Sequence, residues 1–64
     1  MSRLYEGRWR VLLICEIPHG EEYAYTEPDT YEECEKRLLL HGMLGVPFEG
    51  KRVKRALIVG PVVE

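Results

Sequence analysis

Residues 26–42, TEPDTYEECEKRLLLHG, hold a full set of helix signals between two stretches of strand-like alternation. Asp29 or Thr30 serves as N-cap. Each has a glutamate three residues on (Glu32, Glu33), the spacing at which cap and side chain satisfy each other's backbone donors. Pro28 lies just ahead and holds the approach extended. Acidic Asp29, Glu32, Glu33 and Glu35 fill the first turns, and Lys36, Arg37 and His41 follow, an order that complements the helix dipole. Glu32–Lys36 and Glu33–Arg37 are expected as i,i+4 ion pairs. Gly42 is the natural C′ stop. The spacing therefore predicts a helix over 29–42, with Tyr31, Cys34, Leu38 and His41 as its buried stripe and Leu39 at the margin. Leu40 falls on the far side.

Outward from this helix the pattern changes from helical spacing to alternation. Over 8–17, RWRVLLICEI reads as a strand with Trp9, Val11, Leu13, Cys15 and Ile17 on one face. Arg8, Arg10, Leu12, Ile14 and Glu16 share the other. The first set is wholly apolar and should meet the helix. Pro18-His19-Gly20-Glu21 reads as a turn, and 22–26 (EYAYT) as a second strand closing a hairpin. Residues 43–50 form a connector in which Val46 and Phe48 cover the end of the core. The last strand spans 52–60, with Gly60-Pro61 interrupting its end. Residues 1–7 lack a pattern and form a flexible arm.

The order is β-β-α-β. A right-handed crossover through the helix places the third strand on the free side of the first. The expected fold is α+β: a three-stranded antiparallel sheet in order 2-1-3 with one helix on one face.

A chain of 64 residues is one domain. Such a domain buries only about 60% of the surface its unfolded chain exposes, so it is marginal unless a cross-link, a metal, a partner copy or dense ion pairing helps. Cys15 and Cys34 both face the core and are read as buried thiols. A disulfide between them is the alternative that a hot-growing source would permit. A zinc site from Cys15, Cys34 and His41 lacks a fourth ligand, so no metal and no cofactor is expected. The chain has no Asn, no Gln and a single Ser, and 31% of its residues are charged. That composition, poor in heat-labile amides and rich in Glu, Arg and Lys, is the thermophile pattern. No apolar run is long enough to span a membrane, and residues 1–10 lack the apolar stretch of a signal peptide. The expected location is the cytoplasm, of the organism or of an infected host cell.

A three-stranded sheet with one helix leaves one face open, and antiparallel sheets usually make that face polar. Here it carries Leu12 and Ile14, with Leu57 and Val59 or Ala56 and Ile58 from the third strand. Tyr23 and Tyr25, or Ala24, join them from the second. An exposed apolar patch of that kind marks an interface. Leu12 and Ile14, rimmed by Arg8 and Arg10, are the expected contact residues for a protein partner or a second copy, a homodimer included. The alternative is nucleic acid, held by Lys51, Arg52, Lys54 and Arg55 with Tyr23 and Tyr25 as stacking platforms. Against it stands a net charge of −2. His19 beside Glu21 and Glu22 has neither nucleophile nor second acid at a defined spacing, and no phosphate-binding glycine pattern is present, so no enzyme is expected.

The β-β-α-β order, the early Trp9 and the acidic helix start are similar to small phage proteins that inhibit bacterial RNA polymerase. Gly7-Arg8-Trp9 and Thr30-Tyr31-Glu32-Glu33 resemble the strand and helix starts of integrase DNA-binding domains, whose order is three strands and then the helix. These likenesses imply a virus- or mobile-element-encoded regulator and carry no functional residue over to this chain.

Overall fold

Alternation over RVLLICEI is realised as β1, Arg10–Ile17, the central strand. The computed structural model describes residues 7–62, so the arm expected over 1–7 lies, apart from Gly7, outside the described residues. β2 is Gly20–Tyr25, α1 is Tyr31–Arg37 with a π-helical continuation over Leu38–Met43, and β3 is Val53–Val59. The sheet is antiparallel in order β2-β1-β3, the α+β architecture that the pattern implies.

Val11, Leu13 and Cys15, every second residue of β1, are fully buried against Cys34 of α1, and Trp9, Phe48, Val53, Ala56 and Ile58 pack around them. Both cysteines are thiols in this core, and burial pushes each thiol's pKa up.

β1 is held beyond its N-terminal end. Trp9 exchanges backbone hydrogen bonds with Asp29 at 2.7 and 2.9 Å, and Val62 N–H donates to Arg8 O at 2.7 Å. The buried Thr26 hydroxyl accepts from Val11 N–H at 3.0 Å, while Thr26 N–H donates to Val11 O at the same distance.

The helix starts as the capping pattern allows and departs from expectation in its ion pairs and at its end. Thr30 is the N-cap, its hydroxyl accepting from Glu33 N–H at 3.2 Å, and Asp29 Oδ1 in turn accepts from Thr30 N–H at 2.8 Å. Thr30→Ala should cost about 1 kcal/mol, read as a lower midpoint in urea. An unchanged midpoint would mean that Asp29 caps the helix alone. The expected Glu32–Lys36 and Glu33–Arg37 pairs are not the ones formed. Lys36 meets Glu33 at 3.1 Å, and Arg37 turns back to Asp29 at 2.9 Å and to Glu27 O at 3.3 Å. Arg37 is thereby spent on fastening the β2–α1 connection. The bond from Thr30 N–H and the Arg37 guanidinium together hold the Asp29 carboxyl below the usual carboxylate range.

Gly42 does not stop the helix. It lies inside the π-helical segment, where a Cβ would sit 3.2 Å from Ala56 Cβ, so its missing side chain lets the helix approach β3. The stop falls to Gly45, at φ +75°, with Leu44 N–H donating to Leu39 O at 2.9 Å and Val46 N–H to Leu40 O at 3.1 Å. Phe48 covers the core end as expected, but Val46 is exposed.

β3 is also not a plain alternation. Ile14 faces Arg55, yet Cys15 faces Val53, which leaves Lys54 as the extra residue of a β-bulge. The bulge turns Val53 inward while Arg55 stays with Leu57 and Val59 on the outer face, separating two residues that strict alternation puts together.

Candidate functional site: the outer sheet face

With the helix on the Val11–Leu13–Cys15 side, the alternate residues of β1 look outward. The register assembles them into rows: Arg10 beside Val59, then Tyr25–Leu12–Leu57, then Tyr23–Ile14–Arg55. Tyr23 is 63% exposed, Tyr25 55% and Leu57 40%. Leu12 is half-buried between its two neighbours. Ile14, expected to contact a partner, is only 8% exposed. Flanked by Tyr23 and Arg55 on the central strand, it forms the floor of the face rather than its contact surface.

The arginines divide. Arg10 stacks its guanidinium over the Tyr25 ring, 5.2 Å from the centroid, which fixes a cation and an aromatic ring together at one end of the face. Arg8 turns away, its guanidinium 3.5 Å from Pro28 O. Arg55 stands at the opposite end beside Ile14.

The basic run of the alternative reading is partly consumed. Lys51 pairs with Glu22 at 2.6 Å and Lys54 with Glu21 at 2.8 Å. These carboxylates raise the ammonium pKa values above the usual lysine value. Arg52 is exposed, with its carbonyl accepting from Glu16 N–H at 2.8 Å. Lys51, Arg52, Lys54 and Arg55 thus form no continuous cationic track, because the bulge and two glutamates break it.

Chemistry elsewhere is sparse. His19 is exposed on the hairpin turn. His41 places Nδ1 2.8 Å from Val46 O and packs its ring edge-on against Phe48 at 5.5 Å, a structural use of the imidazole. Cys15, Cys34 and His41 are not brought together as metal ligands, and no such group of three occurs among the described residues. Among the described residues no helix is long and apolar enough to cross a membrane.

A second apolar surface was missing from the sequence reading. Leu39, Leu40, Met43 and Leu44 are exposed along and just past the π-helical segment, with Met43 at 78%. The signal was present as RLLLHGMLG, more apolar positions than one helix face can bury.

The chain matches no known family model, no curated protein and no solved structure.

Proposed function

We propose that this chain is a non-enzymatic interaction module, a small regulator that docks on a protein partner through the outer sheet face. The observation that carries the reading is the exposure of Tyr23, Tyr25 and Leu57 as one patch over Leu12 and Ile14. Tyrosine and arginine are enriched in binding hot spots, and tyrosine buries much area at little entropic cost. Arg10 and Arg55 at the two ends favour a partner whose apolar surface is bordered by carboxylates. Occlusion of a partner's surface by a small rigid plug is the mechanism such a face supports. The amide-free composition supports a source that grows hot.

A second reading has one observation in its favour. Two tyrosines two residues apart on an open sheet, with arginines beside them, also suit stacked bases of a single strand. The formal charge of −2 and the carboxylates on Lys51 and Lys54 weigh against it.

Affinity capture from lysate of the source cells, before and after nuclease, separates the two. The protein reading expects a saturable partner that survives nuclease and is lost with Tyr23→Asp or Tyr25→Asp, each weakening binding by about 30-fold. Loss with nuclease, a raised 260/280 nm absorbance ratio, or retention by both variants would refute it.

A further inference from the structure

β3 lies at the edge of the sheet, and its outer backbone groups can be identified from its neighbours. Val11 directs its N–H and C=O toward Thr26, on the β2 side. Backbone direction alternates along an antiparallel strand, so Leu12 and Ile14 point toward β3 and bond with Leu57 and Arg55. In β3, therefore, Ala56 and Ile58 turn their N–H and C=O groups to the free edge. Among the described residues no backbone hydrogen bond outside the sheet reaches them.

Natural edges are blunted by charge, proline or a bulge. β2 carries Glu21 and Glu22 on its two faces, and the N-terminal half of β3 carries the Lys54 bulge. The remaining part, Ala56–Val59, has no such guard. Apolar groups flank it above and below: Leu57 is exposed on the outer face, and Met43 beside Ala56 on the helix side.

We propose that the occupant of this edge is a second copy of the chain, paired antiparallel through β3 about a two-fold axis at Leu57. In this register Ala56 of each copy exchanges both backbone hydrogen bonds with Ile58 of the other, so all the open groups of the unguarded stretch are satisfied. Moving the axis by one residue brings in the bulged Lys54 or Gly60 instead. Leu57 then meets its own counterpart on the outer face. Arg55 lies opposite Val59 and Lys54 opposite Gly60, so no like charges face each other. The two sheets become one, with their outer faces continuous and Met43 of each copy on the shared helix side. The pairing shares Leu57 with the docking face but does not rest on the partner-docking reading, because its hydrogen bonds come from the edge of β3 and it needs no other molecule.

The test is sedimentation equilibrium of the full chain from micromolar to millimolar concentration. The wild type should reach twice the chain mass, and Leu57→Glu and Leu57→Lys alone should each weaken the dimer by about tenfold or more. Mixed in equal amounts, the two variants should dimerise again, because only position 57 meets itself across the axis. Hydrogen exchange on the wild type should slow at the Ala56 and Ile58 amides as concentration rises, a readout that stands even if a variant fails to fold. A wild type that stays monomeric, variants that stay dimeric, a mixture that does not pair, or amides indifferent to concentration would each overturn the proposal. Tyr23→Asp and Tyr25→Asp should leave the dimer intact while removing partner capture, so the two proposals fail separately.

Discussion

Leu13→Ala should lower stability by about 3 kcal/mol, and Leu12→Ala, one residue away, by about 1 kcal/mol. Leu13 is fully buried at the middle of the central strand, with Val11 and Cys15 on either side and Cys34 in the same cluster. Its removal forfeits the transfer energy of the lost methyl groups and leaves a cavity that strands hydrogen-bonded on both sides cannot collapse around. Leu12 points to the outer face and keeps part of its surface in water. Domains of this size have total stabilities of about 3–10 kcal/mol, so the Leu13 variant should be substantially unfolded near the lower end of that range. Urea titrations followed by Trp9 fluorescence read both. Equal losses at the two positions would mean that the outer face is as well covered as the core.

Gly60→Ala should cost about 2–3 kcal/mol, although Gly60 is exposed and lies after the last strand. Gly60 adopts φ +150°, and a Cβ there would sit 2.8 Å from Trp9 Cε3, 3.1 Å from Trp9 Cδ2 and 3.3 Å from Arg8 O. The indole cannot easily retreat. It packs edge-on against Tyr31 at 5.1 Å, and its backbone is locked to Asp29 on one side while Val62 bonds to Arg8 next door. Gly20→Ala provides the control. Gly20 has φ +142° but nothing within 4 Å of a Cβ, so it reports backbone strain alone, about 1 kcal/mol. Similar losses at the two glycines would show that the Trp9 contact carries no weight.

The strand order and the core were legible because the chemistry is periodic and redundant. One face of RWRVLLICEI is uniformly apolar, and Val11, Leu13 and Cys15 follow it into the core. The helix start was legible because Asp29, Thr30 and the glutamates act within one turn. Features set by tertiary contact were not. Gly42 and Gly45 look alike in sequence, and only the approach of Ala56 decides that the first is a packing glycine and the second the stop. The bulge at Lys54 leaves no mark in the residue pattern, although it decides where Val53 and Arg55 point.

For the outer face, sequence placed Leu12, Ile14 and Arg10 on one side of the sheet and left open whether Tyr23 and Tyr25 or Ala24 joined them; the register puts the tyrosines there. Sequence could not rank their exposure. Central-strand Ile14 is shielded by neighbours on both sides, whereas the edge-strand tyrosines are not. Arg8 shared the parity of Arg10 but is drawn to Pro28 O. The ion pairs that occupy Lys51 and Lys54 join residues about thirty positions apart, beyond any local spacing rule.

Site-specific photo-crosslinking in lysate of the source cells asks whether the tyrosine-bearing face is the working surface. A photoreactive side chain at position 23 should capture one discrete protein in a saturable manner, competed by unlabelled chain. The same group at Glu35, exposed on the helix side, should capture nothing discrete. Equal labelling from the two positions, or a discrete product from Glu35 alone, would contradict the account.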